Sequence, residues 1–91
     1  VFALHQNYPN PFNPVTEIQF DVPKESQVTL TIYNIMGQEV TTLTNSTLKA
    51  GFHSVRWDGT NGLGEQVSTG LYFYRLSSPA FTSIKKMIMV K

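Results

Sequence analysis

The chain has 91 residues, of which 41% are hydrophobic and 14% are charged, and its formal net charge is +1 at pH 7. This length suits one domain with a modest core, and the near-neutral charge argues against a surface that follows nucleic-acid phosphates. The absence of cysteine excludes disulfides and thiolate metal sites, and no apolar run approaches the roughly 18 residues of a membrane-spanning helix. Because the chain begins at Val1 without a signal-peptide pattern, we expect it to be part of a longer protein.

The first predicted element is the proline-rich segment QNYPNPFNP, residues 6–14. Each proline fixes φ, removes a backbone donor and pushes the preceding residue towards extended geometry, so the segment is neither helix nor central strand. Tyr8 and Phe12 are unusual in a linker, and they predict a strap that docks on the domain through both rings. The chain is therefore interpreted as a single domain, 1–91, in which a strap (1–14) precedes a folded body (15–91).

The folded body alternates apolar and polar residues with a period of two, which is typical of half-buried strands. Asn34–Gly37 is predicted to be a turn, 45–51 a loop that closes at Gly51, and the glycine-rich stretch 59–70 a long loop. The predicted strands are VTEIQFDV (15–22), SQVTLTIYN (26–34), QEVTTLT (38–44), FHSVRWD (52–58), LYFYRLS (71–77) and FTSIKKMIMVK (81–91).

The alternation also predicts which side chains face the core. LYFYRLS is almost wholly apolar and is predicted to be a central strand with both faces covered. The last strand shows two competing apolar patterns, Phe81/Met87/Met89 and Ile84/Ile88/Val90, which a bulge near Ser83–Lys85 would reconcile. In the earlier strands the predicted inward residues are Ile18, Phe20, Val22, Val28, Leu30, Ile32, His53, Val55 and Trp57.

Six or seven short strands with turn signals about every ten residues are typical of an all-β sandwich. Each sheet must bury its apolar face against the other. We expect the strap to lie across an open edge or end of this sandwich, since a covered edge cannot pair with another chain.

The residues offer little support for catalysis. His5 and His53 are too few and too distant in sequence to indicate a metal cluster, and His53 is favoured as a structural residue beside Val55 and Trp57. No segment has the context of a catalytic nucleophile. The sequence therefore predicts a protein that is not an enzyme and that has no cofactor.

Two groups of surface residues could bind a ligand. Asp58, Asn61 and Glu65 offer oxygen ligands for calcium, but they lack the dense carboxylates and flanking helices of an EF-hand, so a turn with an Asx bond from Asp58 is favoured. Tyr33 and Phe73 would lie on an outer face, where they could stack on sugars or form a stabilising cross-strand pair, and the pair is favoured.

The lysines at positions 85, 86 and 91 place positive charge at the end of the last strand. Such lysines commonly protect a sheet edge from pairing with other chains. They could equally be recognised by a receptor, and composition alone does not separate the two interpretations.

Four blocks stand in order along the chain and together cover nearly all of it: QNYPNPFNPVTEIQFDVP, VTLTIYNIMGQEVTTL, AGFHSVRWDGTNGLGEQVSTGLYFYRL and IKKMIMVK. In this order they resemble the type A C-terminal sorting domain of the type IX (Por) secretion system. The region from Val28 onwards also resembles the immunoglobulin-like domain of the flagellar hook-capping protein, which shares WDG (57–59) and GLYFY (70–74). The proline-rich opening and the lysine-flanked end favour the sorting domain.

The resemblance implies an immunoglobulin-like antiparallel β-sandwich of about seven short strands. It also implies a non-catalytic signal that directs an exported cargo, located upstream in the same chain, through an outer-membrane translocon to the cell surface or medium. A sortase-like peptidase would be a second partner, whereas nucleic acid is not expected. The resemblance carries the recognition role to Gly70, Tyr72, Lys85, Lys86, Met87 and Lys91.

A physical hypothesis accompanies this resemblance. The edge of the 81–91 strand could accept a partner strand, and deletion of Lys85 to Lys91 would then abolish export. The alternative function is a carbohydrate- or surface-binding module of an extracellular enzyme. A third interpretation is a structural domain of the hook-cap type.

Overall fold

Seven β-strands make up the computed structural model, which describes residues 1–91. No helix in it has the length and apolar character needed to span a bilayer. The strands are β1 (Ala3–Leu4), β2 (Thr16–Val22), β3 (Ser26–Tyr33), β4 (Glu39–Leu48), β5 (Gly51–Trp57), β6 (Gly70–Ser78) and β7 (Phe81–Met89).

The strands form two antiparallel sheets. Sheet A has the order β1-β2-β5, and sheet B has the order β4-β3-β6-β7. The sequence-based prediction of an all-β antiparallel sandwich is therefore confirmed. One of the seven strands, β1, contains only two residues, and it lies beside β2 through the pairs Ala3↔Asp21 and Leu4↔Phe20.

The core lies between the two sheets and follows the predicted alternation. Ile18, Phe20 and Val22 of β2 are buried while Glu17 and Gln19 are exposed. Burying one such large apolar side chain contributes about 1.5–3 kcal/mol, so this pattern determines which face of each strand turns inward. The buried apolar residues are Leu4, Phe12, Ile18, Phe20, Val22, Val28, Leu30, Ile32, Trp57, Tyr72, Tyr74, Leu76, Met87 and Met89.

The prediction that β6 is covered on both faces is wrong. The strand is central in sheet B, between β3 and β7, and its inward residues Tyr72, Tyr74 and Leu76 are buried. Its other face points away from the core, and Leu71 on that face is 36% exposed. A sandwich of two sheets has nothing to pack on its outer faces, so a nearly continuous apolar strand leaves one side open.

The terminal strand β7 is regular, and the predicted bulge near Ser83–Lys85 is absent. Its pairing with β6 runs without interruption from Ser78↔Phe81 to Gly70↔Met89. Phe81, Met87 and Met89 are all odd-numbered and share the inner face, whereas Ile84 and Ile88 share the outer face. The two apolar patterns are thus the two faces of one strand. The register shifts of sheet B lie instead between β3 and β4, after Leu30 and after Ile32.

Strand β4 is longer than predicted, because residues assigned to the 45–51 loop continue it to Leu48. Asn45 is unfavourable in strands, but its Oδ1 accepts a hydrogen bond from Gln27 Nε2 at 2.9 Å. This cross-strand bond compensates for the low propensity. Only Lys49 and Ala50 then connect β4 in sheet B to β5 in sheet A.

The predicted turn Asn34–Gly37 and the predicted long loop 59–70 are both present. In the turn, Asn34 Oδ1 accepts hydrogen bonds from the backbone N–H groups of Met36 (2.9 Å) and Gln38 (3.0 Å). The loop repeats this arrangement at Asn61, whose Oδ1 accepts from Leu63 (2.9 Å) and Glu65 (3.0 Å). The sequences NIMGQ and NGLGE thus encode the same turn twice, each with a positive-φ glycine in fourth place.

Candidate functional site

The strap crosses from sheet A to sheet B on its way to β2. Near its start, the backbone N–H of His5 donates to the carbonyl of Gln19 in β2 (3.0 Å). Tyr8 then pairs antiparallel with Glu17, and Phe12 pairs in parallel with Met89 at the end of β7. The strap therefore closes the side of the sandwich at which β1 and β7 approach each other.

The strap covers the outer edge of β7 from Lys86 to Val90. We expected this edge to be free to accept a partner strand, and that expectation is wrong for this half of the strand. Its backbone groups already have partners within the chain. Four hydrogen bonds make the contact: Gln6 Nε2 to Lys86 O (2.8 Å), Ile88 N to Asn10 Oδ1 (3.0 Å), Phe12 N to Ile88 O (3.0 Å) and Val90 N to Phe12 O (2.8 Å).

The two aromatic residues of the strap have opposite environments. Phe12 is 1% exposed and packs on Trp57, with the ring centroids 5.7 Å apart, so its predicted anchoring role agrees with the structure. Tyr8 is 81% exposed, and the prediction that its ring docks on the domain is wrong. The reason is the backbone pairing of Tyr8 with Glu17, because residues directly opposite in an antiparallel pair share a face and Glu17 faces solvent.

A buried polar network holds the strap at Asn7, which is 2% exposed. The backbone N–H of Asn7 donates to the Tyr74 hydroxyl (2.8 Å), and this hydroxyl donates to the carbonyl of His5 (2.7 Å). Asn7 Nδ2 donates to Thr16 Oγ1 at 3.0 Å, and Thr16 Oγ1 donates to the carbonyl of Pro9 at 2.9 Å. Burial raises the pKa of Tyr74 to about 12, since the phenolate would lose its hydration there.

Three of the residues assigned to recognition form one cluster on β6 and β7. Tyr72 and Met87 are cross-strand partners, and both are buried, at 5% and 0% exposure. The Tyr72 ring packs edge-on against Trp57, with the centroids 5.4 Å apart. Gly70 begins β6 with φ +136°, a conformation that L side chains rarely adopt. In the folded domain these three residues therefore shape the core and the start of a strand.

The three lysines lie apart from that cluster. Lys86 is exposed on the outer face of sheet B opposite Phe73, and Lys91 is exposed beyond the end of β7. Lys85 is half-buried and points to the inner side at the edge. None of the three forms a salt bridge, and the single histidine–carboxylate contact of the domain joins His5 Nε2 and Asp21 Oδ1 (3.0 Å).

The glycine-rich loop uses its own polar groups. Asp58 Oδ1 accepts from the hydroxyl (2.6 Å) and backbone N–H (3.2 Å) of Thr60, the Asx-type turn that the sequence favoured over calcium. The bond from the Thr60 hydroxyl holds the pKa of Asp58 below its ordinary value of 3.8. His53 stacks on Phe20 at 5.5 Å and hydrogen-bonds through Nε2 to the carbonyl of Lys49 (2.8 Å), which fits the structural role.

The outer face of sheet B carries the aromatic pair that raised the possibility of sugar binding. Tyr33 and Phe73 are cross-strand partners there, as expected. The guanidinium of Arg75 lies 5.0 Å from the centroid of the Tyr33 ring, in a cation–π contact. That face of Tyr33 is therefore occupied from within the chain.

Sequence reasoning missed the residues that fasten the strap. The hydroxyl of Tyr74 needs a partner once the alternation places Tyr74 inward, and this requirement was the available signal. The partners themselves, His5 and Asn7, lie 69 and 67 residues away in sequence and could not be paired with it by pattern.

A sequence profile connects this architecture to known proteins. The profile of the FlgD Ig-like domain matches residues 10–80, which is most of the chain. The chain belongs to the FlgD Ig-like domain family. Among curated protein sequences, none matches this member of the FlgD Ig-like family.

Solved structures share the fold at low sequence identity. Dimeric latent PorU from Porphyromonas gingivalis aligns with a TM-score of 0.78 and 24% identity over 99% of this chain and 9% of its own. PorZ, from the type-IX secretion system of the same species, aligns with a TM-score of 0.69 and 18% identity over 98% of this chain and 12% of its own. FlgD from Xanthomonas campestris aligns with a TM-score of 0.66 and 20% identity over 97% of this chain and 64% of its own.

These alignments confirm the immunoglobulin-like β-sandwich. The FlgD Ig-like domain described here spans only a small part of PorU and PorZ and less than two thirds of the Xanthomonas FlgD chain. What the alignments share is therefore one domain.

Proposed function

We propose that this domain is a non-catalytic sorting signal that directs an attached, exported cargo through the type IX secretion system to the cell surface or medium. Its partners would be the outer-membrane translocon and a sortase-like peptidase. Two of the structural neighbours, PorU and PorZ, are consistent with this setting, since PorZ is described as an essential surface component of that system.

One observation carries the proposal. The two sequence blocks that favour the resemblance to a sorting domain over a hook-cap domain are the proline-rich opening and the lysine-flanked end, and both extend beyond the family match at 10–80. In the structure these two blocks are bonded to each other, through Gln6–Lys86 and the pairing of Phe12 with Ile88 and Val90. The two blocks that carry the resemblance to a sorting domain are therefore joined in one structural unit, which supports the proposal.

Within this unit the exposed lysines are the natural contact for a receptor. Lys86 and Lys91 have no ionic partner in the domain, so a receptor carboxylate could pair with either one without breaking an existing salt bridge. Gly70, Tyr72 and Met87 would act indirectly, by holding β6 and β7 in the shape that presents the lysines.

The decisive experiment fuses residues 1–91 to the C-terminus of a periplasmic reporter. The fusion is expressed in a bacterium with a type IX system and in a strain that lacks its translocon. We expect the reporter at the surface or in the medium only when the translocon is present. Reporter held in the periplasm of both strains, with the fusion folded and intact, would reject the proposal.

The contribution of the lysines is better tested by substitution than by deletion. Deleting Lys85 to Lys91 also removes Met87 and Met89 from the core, so loss of export could reflect unfolding. Replacing Lys86 and Lys91 by glutamine leaves the core intact and should reduce export severalfold. Glutamine at Lys24 and Lys49, two other exposed lysines, is the matched control and should export normally.

A further inference from the structure

The outer face of sheet B is apolar near β7 in a way that folding does not require. Ile84 and Ile88 are 59% and 45% exposed, and Leu71 is 36% exposed. Phe73 shares this face, and its cross-strand partners are Tyr33 on one side and Lys86 on the other. Lys86 separates Ile84 from Ile88 along β7. A cluster of exposed apolar side chains beside polar ones is typical of a binding site.

Two adjoining hollows lie on the part of this face around Phe73 and Ile84. One has a volume of about 400 Å³ and is lined by Tyr33, Ile35, Phe73, Arg75 and Ile84, among others. The second, of about 350 Å³, shares Phe73 and Ile84 with the first and adds Lys85 and Lys86. Each hollow therefore combines an apolar floor with at least one cation.

The charges of sheet B are uneven. Its outer face carries Arg75 and Lys86, with Lys85 at the β7 edge, and one acidic residue, Glu39 of β4, which is the cross-strand partner of Tyr33. The Glu39 carboxylate accepts a hydrogen bond from the Thr42 hydroxyl (3.2 Å). No salt bridge engages Arg75 or Lys86, and the β6–β7 side of the face therefore presents more positive than negative charge around its apolar side chains.

We infer that this face docks a segment of another protein in which acidic residues flank apolar or aromatic ones. Charge complementarity selects this occupant, since carboxylates would meet Arg75 and Lys86 while the apolar side chains fill the hollows. A second copy of the chain is disfavoured, because a two-fold contact would bring two copies of the same mainly cationic face together. A sugar is disfavoured because Arg75 already lies over the ring of Tyr33.

The test is a titration of the ¹⁵N-labelled 91-residue chain, followed by amide chemical shifts. The probe is a synthetic peptide that alternates glutamate with leucine and phenylalanine. Its controls are the same peptide with lysine for glutamate, the same peptide with serine for the apolar residues, and a soluble glucose oligosaccharide. The acidic apolar peptide should shift the amides of Phe73, Ile84 and Lys86, and its binding should weaken as salt is added.

Charge reversal sharpens the test. Arg75→Glu with Lys86→Glu should weaken binding of the acidic peptide at least about tenfold, which corresponds to 1.4 kcal/mol. Lys24→Glu with Lys49→Glu changes the net charge equally, lies outside this face and should leave binding within about twofold. Because Arg75 also contacts Tyr33, Lys86→Glu alone is tested as well, and it should weaken binding severalfold.

Equal binding of the lysine peptide, shifts confined to other surfaces, or saturable binding of the oligosaccharide alone would overturn the inference. Absence of any shift at millimolar peptide would overturn it too. The result does not depend on the proposed sorting function, because binding is measured on the isolated chain whether or not the domain directs export.

Discussion

The strap and the 59–70 loop are both long segments with little regular pairing, yet they are held in opposite ways. The strap depends on partners far away in sequence, such as Asn7 with Tyr74 and Phe12 with Ile88. The loop is held mainly by bonds within itself, between Asn61 and Glu65 and between Asp58 and Thr60. The strap therefore needs the assembled sheets for most of its bonds, whereas the loop combines local bonds with a few longer-range ones, such as that from the Gly62 N–H to the Val40 carbonyl (3.1 Å).

The largest expected effect comes from removing the ring that seats the strap. Phe12→Ala should lower the free energy of unfolding by about 3–5 kcal/mol, since it empties a fully buried site against Trp57. Chemical denaturation followed by Trp57 fluorescence measures this change. The Phe12→Ala substitution should also expose the edge of β7, so hydrogen exchange should accelerate more at the Ile88 and Val90 amides than at the β3 amides.

Tyr8→Ala is the matched control within the strap. The Tyr8 ring is 81% exposed, so the free energy of unfolding should change by no more than about 0.5 kcal/mol. Equal losses for the two variants would contradict the difference between the two rings that the structure describes.

The next effect concerns the polar anchor of the strap. Tyr74→Phe leaves the buried Asn7 N–H without its acceptor and should cost roughly 1–3 kcal/mol at neutral pH. Tyr8→Phe removes an exposed hydroxyl and should cost nothing measurable. An unchanged free energy of unfolding for Tyr74→Phe would mean that the network does not secure the strap.

The parent chain and Tyr74→Phe should also differ in how their free energies of unfolding change at alkaline pH. The pKa of Tyr74 is raised from 10.0 to about 12 on folding, so its contribution is fully present below pH 10.0 and is lost as pH rises towards 12. This amounts to roughly 2–3 kcal/mol by linkage. The free energy of unfolding, measured by chemical denaturation at several pH values in this window, should fall more steeply with pH for the parent chain than for Tyr74→Phe. An equal fall for the two chains would contradict the raised pKa.

The smallest effect is expected in the loop. Asn61→Ala removes the acceptor for two exposed backbone N–H groups, which water can replace, and should cost about 0.5–1 kcal/mol. Asn34→Ala breaks the same bonds in the twin turn and should cost a similar amount. A loss above about 3 kcal/mol for Asn61→Ala would show that the loop belongs to the cooperative fold after all.

Alternation and turn chemistry were enough to predict most strands from the sequence. Ile18, Phe20 and Val22 signal their buried face without reference to any partner, because the strand period and the hydrophobic effect act locally. The turn at Asn34 is equally local. The β7 pattern was misinterpreted as two registers, although both sets of residues fit a single alternating strand.

The candidate site was less predictable, because it combines residues from the two ends of the chain. The lysines could be singled out by position, but no pattern showed that Gln6 reaches Lys86 or that Asn10 accepts from Ile88. Nor could the pattern separate Phe12 from Tyr8. Both are aromatic residues of one strap, and only the backbone pairing of Tyr8 with Glu17 turns its ring to solvent.

The sequence by itself determined most of the strands, the inward faces of β2 and β3 and the local turns, since each follows from the period of the chain and from bonds between near neighbours. Only the tertiary structure decided that the strap covers β7, that Tyr74 anchors it and that an apolar, cationic face remains open. The strap contacts join residues more than sixty positions apart, and the open face joins residues of three different strands, so all of these features arise only when the sheets are assembled.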